Sequence, residues 1–252
     1  MLLNSFCLGN GAPVALLHGL FGSGNNLGAL ARHLAPHHRT VALDLRNHGA
    51  SPHANSMSYA EMADDVRETL IALDAWPAAV IGHSMGGKVA MRLALEATEV
   101  TKLMLLDVAP VVYPPGFRPF AAAMQAIPLE PGLTRAQADQ ALAPTVADPR
   151  VRMFLLLNLR FGANPGWRIG LREIAAELPV IEGWEAPTGA VYPGPTLFAG
   201  GANSRYILPQ FRATIRTLFP AAKFVTVKNA GHWLHADNPA ATNALAAEFL
   251  AA

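Results

Sequence analysis

The chain has 252 residues, 52% of them hydrophobic and 15% charged, and carries a net charge of +1 at pH 7. This length fits one large α/β domain, and the apolar content excludes an intrinsically disordered chain. The absence of a basic block or an acidic tail argues against a nucleic-acid partner, and the absence of a run of about 18 uncharged apolar residues argues against stable membrane insertion.

Cys7 is the one cysteine in the chain, which excludes an internal disulfide and a cysteine-based metal site. The first seven residues lack the basic start and the cleavage site of a secretory signal peptide. We therefore expect a cytoplasmic protein, and the sequence leaves its oligomeric state open.

Strands and helices alternate along the first 109 residues. Short apolar runs predict buried strands over five segments, 1–9, 14–17, 40–45, 78–81 and 102–106. Three amphipathic stretches between them predict helices over 27–34, 58–73 and 89–96, with Asn26 and Ser58 as candidate N-caps. This alternation predicts an α/β fold with a mostly parallel central sheet and helices on both faces.

The alternation stops after residue 109. Six prolines fall within 110–131, and short helical patterns such as 150–159 follow with no strand pattern. We interpret 110–193 as a helical cap inserted over the active site, which leaves 1–109 and 194–252 as the core. The sheet is predicted to resume at 195–199 and 223–227, with a helix over 210–218 and a last one beginning at Asp237 or Asn238.

The segment 78–96 carries the motif that defines the expected chemistry. Gly82-His-Ser84-Met-Gly86 stands between a predicted strand and a predicted helix, which is the setting of a nucleophile elbow. The turn strains the serine backbone and lifts the Ser84 hydroxyl above the sheet. Ser84 is therefore the predicted nucleophile, and a free serine hydroxyl needs a base, an acid and oxyanion donors to act as one.

The predicted base is His232, which follows the last strand in Ala-Gly-His-Trp. It comes after Ser84 in the chain order Ser, Asp or Glu, His that one class of serine enzymes uses. His235, three residues later, is the rival base.

The position of the acid is less fixed. Enzymes with this chain order often place it after the strand predicted here at 195–199, but the loop 200–205 that follows contains no carboxylate. Asp107 stands at the end of the strand after the elbow helix, and a carboxylate between apolar neighbours there needs a buried partner such as an imidazole N–H. Asp237 is a third candidate, better explained as a helix cap.

The oxyanion hole requires two backbone N–H groups. Met85 follows the nucleophile and supplies one, and Leu20 in His18-Gly-Leu-Phe is the expected second. Gly19 and Gly22 let this loop approach the serine. His18 precedes the loop and is expected to make a structural hydrogen bond rather than to act as a base.

Together these motifs resemble the α/β-hydrolase superfamily. The stretches His18-Gly-Leu-Phe-Gly-Ser, Asp44-x-Arg-Asn-His-Gly-x-Ser51, Gly82 to Lys88, Asp107-Val-Ala-Pro and Gly231 to His235 resemble more narrowly its YbfF-type esterase branch, small bacterial acyl esterases related to a mitochondrial abhydrolase. The resemblance implies an α/β-hydrolase fold with a helical cap, a triad acid at Asp107, and hydrolysis of short-chain carboxyl esters or acyl thioesters such as acyl-CoA.

The expected partner is a small acyl ester or thioester, in a pocket that includes Phe21, Phe154 and Trp233. The alternative for the apolar residues of the insertion is a small core of its own. No phosphate loop, dinucleotide motif or metal-ligand spacing is present, so we predict no cofactor and no metal. Two other functions stay open: carbon–carbon bond hydrolysis, perhydrolysis or a lyase step on the same scaffold, and a non-catalytic ligand receptor.

Overall fold

A computed structural model describes residues 1–252. Its main sheet has seven strands in the spatial order β1-β3-β2-β4-β5-β8-β9, and β1 alone runs antiparallel to its neighbour. The strands are β1 Ser5–Leu8, β2 Ala12–Leu17, β3 His38–Leu43, β4 Ala78–His83, β5 Val100–Leu106, β6 Leu159–Arg160, β7 Gly166–Trp167, β8 Thr196–Gly201 and β9 Ala222–Val227. The predicted mostly parallel sheet is therefore confirmed.

Ten α-helices accompany the strands: α1 Gly28–Leu34, α2 Tyr59–Ala72, α3 Met85–Glu96, α4 Arg118–Gln125, α5 Arg135–Leu142, α6 Pro149–Leu155, α7 Leu171–Glu182, α8 Arg212–Leu218, α9 Leu234–Asp237 and α10 Pro239–Ala251. Short 3₁₀ turns lie at Gly24–Leu27, Leu156–Asn158 and Pro209–Phe211. None of these helices combines the length and the apolar character needed to cross a bilayer.

The two faces of the sheet bury separate sets of side chains, as the two-residue period of a strand requires. In β2, Ala15 and Leu17 pack with α2 and α3, whereas Val14 and Leu16 pack with α1 and α10. The strands buried on both faces are the ones that read as continuous apolar runs in the sequence.

Two of the helix caps differ from the sequence prediction. Ser58 caps α2 as expected, accepting a hydrogen bond from the N–H of Glu61. Asn26 does not cap α1: it lies inside a 3₁₀ turn, where its Oδ1 accepts from the N–H of Ser23 at 2.6 Å. Of the two residues predicted to start the last helix, Asn238 caps it by accepting from the N–H of Ala241, whereas Asp237 does not.

Residues 110–193, which we call the insertion, contain α4 to α7 and the small antiparallel pair β6–β7. The sequence pattern gave no sign of this two-residue strand pair. The buried side chains of the insertion do not form a separate core: Met124, Leu142 and Ile174 belong to the same cluster as α2 and α3. The limits 110 and 193 stay a prediction.

The carboxyl ends of the parallel strands β2, β4, β5, β8 and β9 lie at one edge, which we call the carboxyl edge of the sheet. Pairing of Leu17 with Gly82, of His83 with Leu106, and of Leu106 with Ala199 aligns these ends. In open α/β sheets this is where ligands bind.

Candidate active site

Ser84 joins β4 to α3 in a strained conformation. Its φ of 51° and ψ of −119° lie in a region that a side chain with a Cβ rarely adopts. Its N–H donates to the carbonyl of Leu106 at 3.1 Å, which ties the turn to β5. A Cβ at Gly86 would collide with the carbonyl oxygens of Leu17 and His18. The glycine therefore lets the start of α3 pass under the end of β2 and holds Ser84 at the carboxyl edge.

His232 lies on the loop between β9 and α9 and contacts both Ser84 and Asp107. Its Nε2 is 3.1 Å from the Ser84 Oγ, and its Nδ1 is 2.7 Å from the Asp107 Oδ2. With the carboxylate accepting at Nδ1, the neutral ring carries its proton there and presents the Nε2 lone pair to the serine hydroxyl. The structure thus brings together the predicted nucleophile, base and acid.

Asp107 is fully buried at the end of β5. Its Oδ1 accepts from the N–H of Gly201 at 3.1 Å, and its Oδ2 accepts from the Ser204 hydroxyl as well as from His232. The loop 200–205 lacks a carboxylate, as the sequence shows, but it supplies two of the donors that hold Asp107. Buried carboxylates require such partners.

Tyr206 fixes the plane of the His232 ring. The two rings are stacked with centroids 4.0 Å apart and an interplanar angle of 22°. The Tyr206 ring is itself packed on that of Tyr113, 4.8 Å away. The sequence analysis did not single out Tyr206, and the available signal was its position two residues after Ser204 in a loop at the carboxyl edge.

The rival base and the rival acid are not in contact with the serine or with the base. His235 is buried against the His83 ring, 4.8 Å between centroids, and burial lowers its pKa to about 4. Asp237 Oδ2 accepts from the N–H of Gly231 at 2.8 Å, and its Oδ1 forms an ion pair with Nη1 of Arg150 at 3.6 Å. Its place in the molecule is to hold the loop that carries His232.

The loop after β2 places an unpaired backbone N–H beside Ser84. Leu20 N–H donates to no group in the protein, whereas the next amide, of Phe21, donates to His48 Nε2 at 3.1 Å. A Cβ on Gly19 would lie 3.3 Å from the Ser84 Cβ, so the loop and the serine are nearly in contact. Met85 is the first residue of α3, and a first-turn N–H has no partner within its helix.

His18 and His48 both form hydrogen bonds with the backbone of this loop. His18 Nε2 accepts from the N–H of Leu45 at 2.9 Å while its Nδ1 bonds the carbonyl of Gly19 at 2.8 Å. His18 therefore has the structural hydrogen bonds that the sequence suggested. Burial lowers the pKa of His18 and lowers that of His48 to about 3. Both rings are neutral at pH 7, as their accepting nitrogens require.

A cavity of about 250 Å³, the first cavity, opens at Ser84. The three predicted pocket residues all line it: Phe21 from the loop after β2, Phe154 from α6 and Trp233 from the loop of His232. The Phe154 and Trp233 rings are 5.9 Å apart. The insertion contributes four further apolar side chains to its wall, namely Phe117, Phe120, Val151 and Leu155.

Asn158 connects the insertion to the loop after β2. Its Nδ2 donates to the Phe21 carbonyl at 2.7 Å, and its side chain is buried. Sequence reasoning missed this residue, because the contact joins positions 137 apart and no local motif surrounds Asn158.

Comparison with known proteins agrees with this architecture. A family model described as the alpha/beta hydrolase family matches residues 14–245. The chain belongs to the alpha/beta hydrolase family. The sequence resemblance to its YbfF-type branch is also confirmed: the chain is 39% identical to the esterase YbfF of Escherichia coli, over 91% of this chain and 89% of that protein.

Two further relatives point the same way. The sn-1-specific diacylglycerol lipase ABHD11 of Mus musculus is 40% identical, over 90% of this chain and 76% of that protein. A solved marine microorganism esterase superposes with a TM-score of 0.95 at 34% identity, covering 98% of this chain and 99% of that one. The chain is accordingly a hydrolase of the esterase or lipase type.

Proposed function

We propose that this protein hydrolyses carboxyl esters or acyl thioesters with short acyl chains through an acyl-Ser84 intermediate. The observation that carries the proposal is the pair of contacts of His232, at 3.1 Å to the Ser84 Oγ and 2.7 Å to the Asp107 Oδ2, beside a mostly apolar cavity. The first cavity has a volume of about 250 Å³ and a mostly apolar lining, which suits an acyl chain.

In the first half-reaction, His232 Nε2 takes the proton of Ser84 as Oγ attacks the acyl carbonyl carbon. The carbonyl oxygen becomes an oxyanion, for which the N–H groups of Leu20 and Met85 are the donors, at the positive end of the α3 dipole. Asp107 stabilises the imidazolium. The imidazolium then gives its proton to the departing alcohol or thiol, and the acyl group stays on Ser84.

In the second half-reaction, a water molecule takes the place of the leaving group. His232 removes a proton from the water as the water oxygen attacks the acyl carbon. The resulting oxyanion accepts hydrogen bonds from the same two N–H groups. The imidazolium returns that proton to Ser84 Oγ as the ester bond breaks. The products are a carboxylic acid and the restored serine.

The test is turnover of two series, p-nitrophenyl esters and acyl-CoA thioesters from acetyl to palmitoyl, by wild type and by Ser84→Ala. We expect Ser84-dependent hydrolysis with an optimum at short acyl chains, and a fold unchanged by circular dichroism. Activity of Ser84→Ala equal to wild type would overturn the nucleophile assignment. A folded wild type that turns over neither series would overturn the proposed reaction.

A further inference from the structure

A second cavity, of about 270 Å³, also meets Ser84. It shares with the first cavity the part nearest the serine, including Leu20 and Tyr206, and then extends to a different end. That end is mostly apolar, but its wall includes the polar side chains of Tyr59, Lys88, Tyr113 and Glu182. The groups attached to a carbonyl carbon at Ser84 therefore have two chambers available to them, and only the second is lined by a lysine and a glutamate.

Lys88 lies one helical turn after Ser84 on α3, with 2% of its surface exposed. Its Nζ donates to the carbonyl oxygens of Gly183 at 2.6 Å and Glu182 at 3.2 Å. An ammonium has three donors, so these carbonyls leave one free. Nζ also lies 4.9 Å from the ring centroid of Tyr113. Burial lowers the pKa of Lys88 to about 7, which marks an amine that has lost most of its hydration and would gain from a further acceptor.

Glu182 supplies the complementary group. Its Oε1 accepts from the N–H groups of Gly116 at 2.7 Å and Phe117 at 3.0 Å, which leaves Oε2 without a partner in the protein. The amine of Lys88 bonds the main-chain carbonyl of Glu182 and not its carboxylate. Both residues line the second cavity, so a group bound there has a free donor and a free acceptor available to it.

One amine and one carboxylate at the same end select for the charge of the occupant. A hydroxyl group accepts a hydrogen bond from the amine and donates one to the carboxylate. A carboxylate on the ligand has no proton to donate and would be repelled by Glu182. The apolar first cavity suits the acyl chain, which leaves the second cavity for the other half of an ester.

We propose that the second cavity binds the alcohol half of the ester and that Lys88 and Glu182 recognise a free hydroxyl group on that alcohol. The proposal rests on the proposed acyl transfer at Ser84. It assigns the enzyme to esters of polyhydric alcohols, with Lys88 and Glu182 as specificity-determining residues that take no part in proton transfer at the serine.

The test compares kcat/KM for glycerol 1-monobutyrate and n-propyl butyrate, which share an acyl group and a three-carbon alcohol. A hydrogen bond to a charged group corresponds to roughly tenfold or more in affinity. We expect wild type to prefer the glycerol ester by about tenfold, and Lys88→Met to lose this preference while its kcat/KM for propyl butyrate stays within about threefold of wild type. Glu182→Gln, whose amide oxygen can still accept from Gly116 and Phe117, should lower the preference and provides a second variant if Lys88→Met does not fold.

Lys102 offers a matched control. Its Nζ donates to the carbonyls of Leu250 at 2.6 Å and Phe249 at 3.4 Å near the end of α10, the same kind of lysine contact to a helix end, away from both cavities. Lys102→Met should keep the wild-type preference. An equal loss on both esters in Lys88→Met would show a tether between α3 and α7 and overturn the proposal.

Three other results separate the failure of this proposal from the failure of the proposed function. Ser84-dependent turnover without any preference for the glycerol ester overturns hydroxyl recognition alone. If neither ester is hydrolysed in a Ser84-dependent way, both the acyl transfer and the hydroxyl recognition are overturned. Preference for 4-butyryloxybutanoate, which carries a carboxylate in its alcohol half, would show an anion site and overturn the hydroxyl assignment.

Discussion

The carboxyl edge of the sheet and the insertion contribute to the same site in different ways. At the carboxyl edge each reactive group is held by several polar contacts: Asp107 accepts from Gly201, Ser204 and His232. The insertion supplies mainly apolar walls, and its polar contributions are few, chiefly Asn158 and Glu182. The atoms for acyl transfer are thus placed by strand ends, whereas the shape of the pocket depends on side-chain packing.

The glycines of the two regions show the same contrast. Gly19 and Gly86 at the carboxyl edge have no room for a Cβ, and Ser84 and Asp107 hold positive φ values of 51° and 53° without being glycine. In the insertion, the positive-φ glycines are surrounded by open space: Gly132, Gly162 and Gly189. Backbone strain thus falls on residues that set the reaction geometry, whereas in the insertion the positive φ values fall on glycines.

The largest expected effect comes from the carboxyl edge. Asp107→Asn should lower kcat on the order of 10⁴-fold, because an amide in place of the carboxylate no longer stabilises the imidazolium or its working tautomer. The measurement is kcat for the best p-nitrophenyl ester, with circular dichroism to verify the fold.

The control for that variant is Asp237→Asn, since the amide oxygen can still accept from Gly231 and the side chain makes no hydrogen bond to the His232 ring. It should stay within a few-fold of wild type. If Asp107→Asn were near wild type instead, the acid would lie elsewhere, and the contrast between the two aspartates would be reversed.

The sequence predicts the carboxyl edge well because its constraints are local. A strand, a Gly-x-Ser-x-Gly turn and a helix must be contiguous, and Asp107 and His232 follow strands directly, so the parallel order of the strands brings them together. The cap residues Asn26 and Asp237 were assigned wrongly, because a polar side chain before a helix has several backbone donors within reach and sequence does not choose among them.

The insertion is predicted less well because its contacts are between distant segments. Nothing near Asn158 or Glu182 in sequence indicates that one meets the loop after β2 and the other faces Lys88. The two-residue strands β6 and β7 are too short to show a period of two. Phe154 could be assigned to the pocket only by interpreting the whole insertion as a cap over the active site.

The next largest effect tests the polar link between the two regions. Asn158→Ala removes the donor to the Phe21 carbonyl, next to the expected oxyanion donor Leu20. Leaving a buried carbonyl unpaired costs about 1–3 kcal/mol, and a shift of the loop would weaken the oxyanion contact, so we expect kcat to fall on the order of tenfold with KM little changed.

Leu157→Ala provides the comparison for this variant, because Leu157 precedes Asn158 and is 55% exposed. It should leave kcat at the wild-type value. A wild-type kcat in Asn158→Ala would mean that the carboxyl edge positions the loop after β2 without help from the insertion. The two regions would then contribute independently to the site.

The smallest effect concerns the wall of the first cavity. Phe154→Ala removes a ring that packs on Trp233 and should lengthen the preferred acyl chain, because the space left admits additional methylenes. We expect the ratio of kcat/KM for hexanoyl over butyryl p-nitrophenyl esters, which differ by two methylenes, to rise by about tenfold, the low end of the discrimination that a single methylene gives in an apolar pocket. Met153→Ala, on the same helix and 58% exposed, is the control and should keep the wild-type ratio. A ratio unchanged in Phe154→Ala would place the acyl chain outside the first cavity, while a fall in kcat on every ester alike would mean that the insertion helps to position the reacting groups.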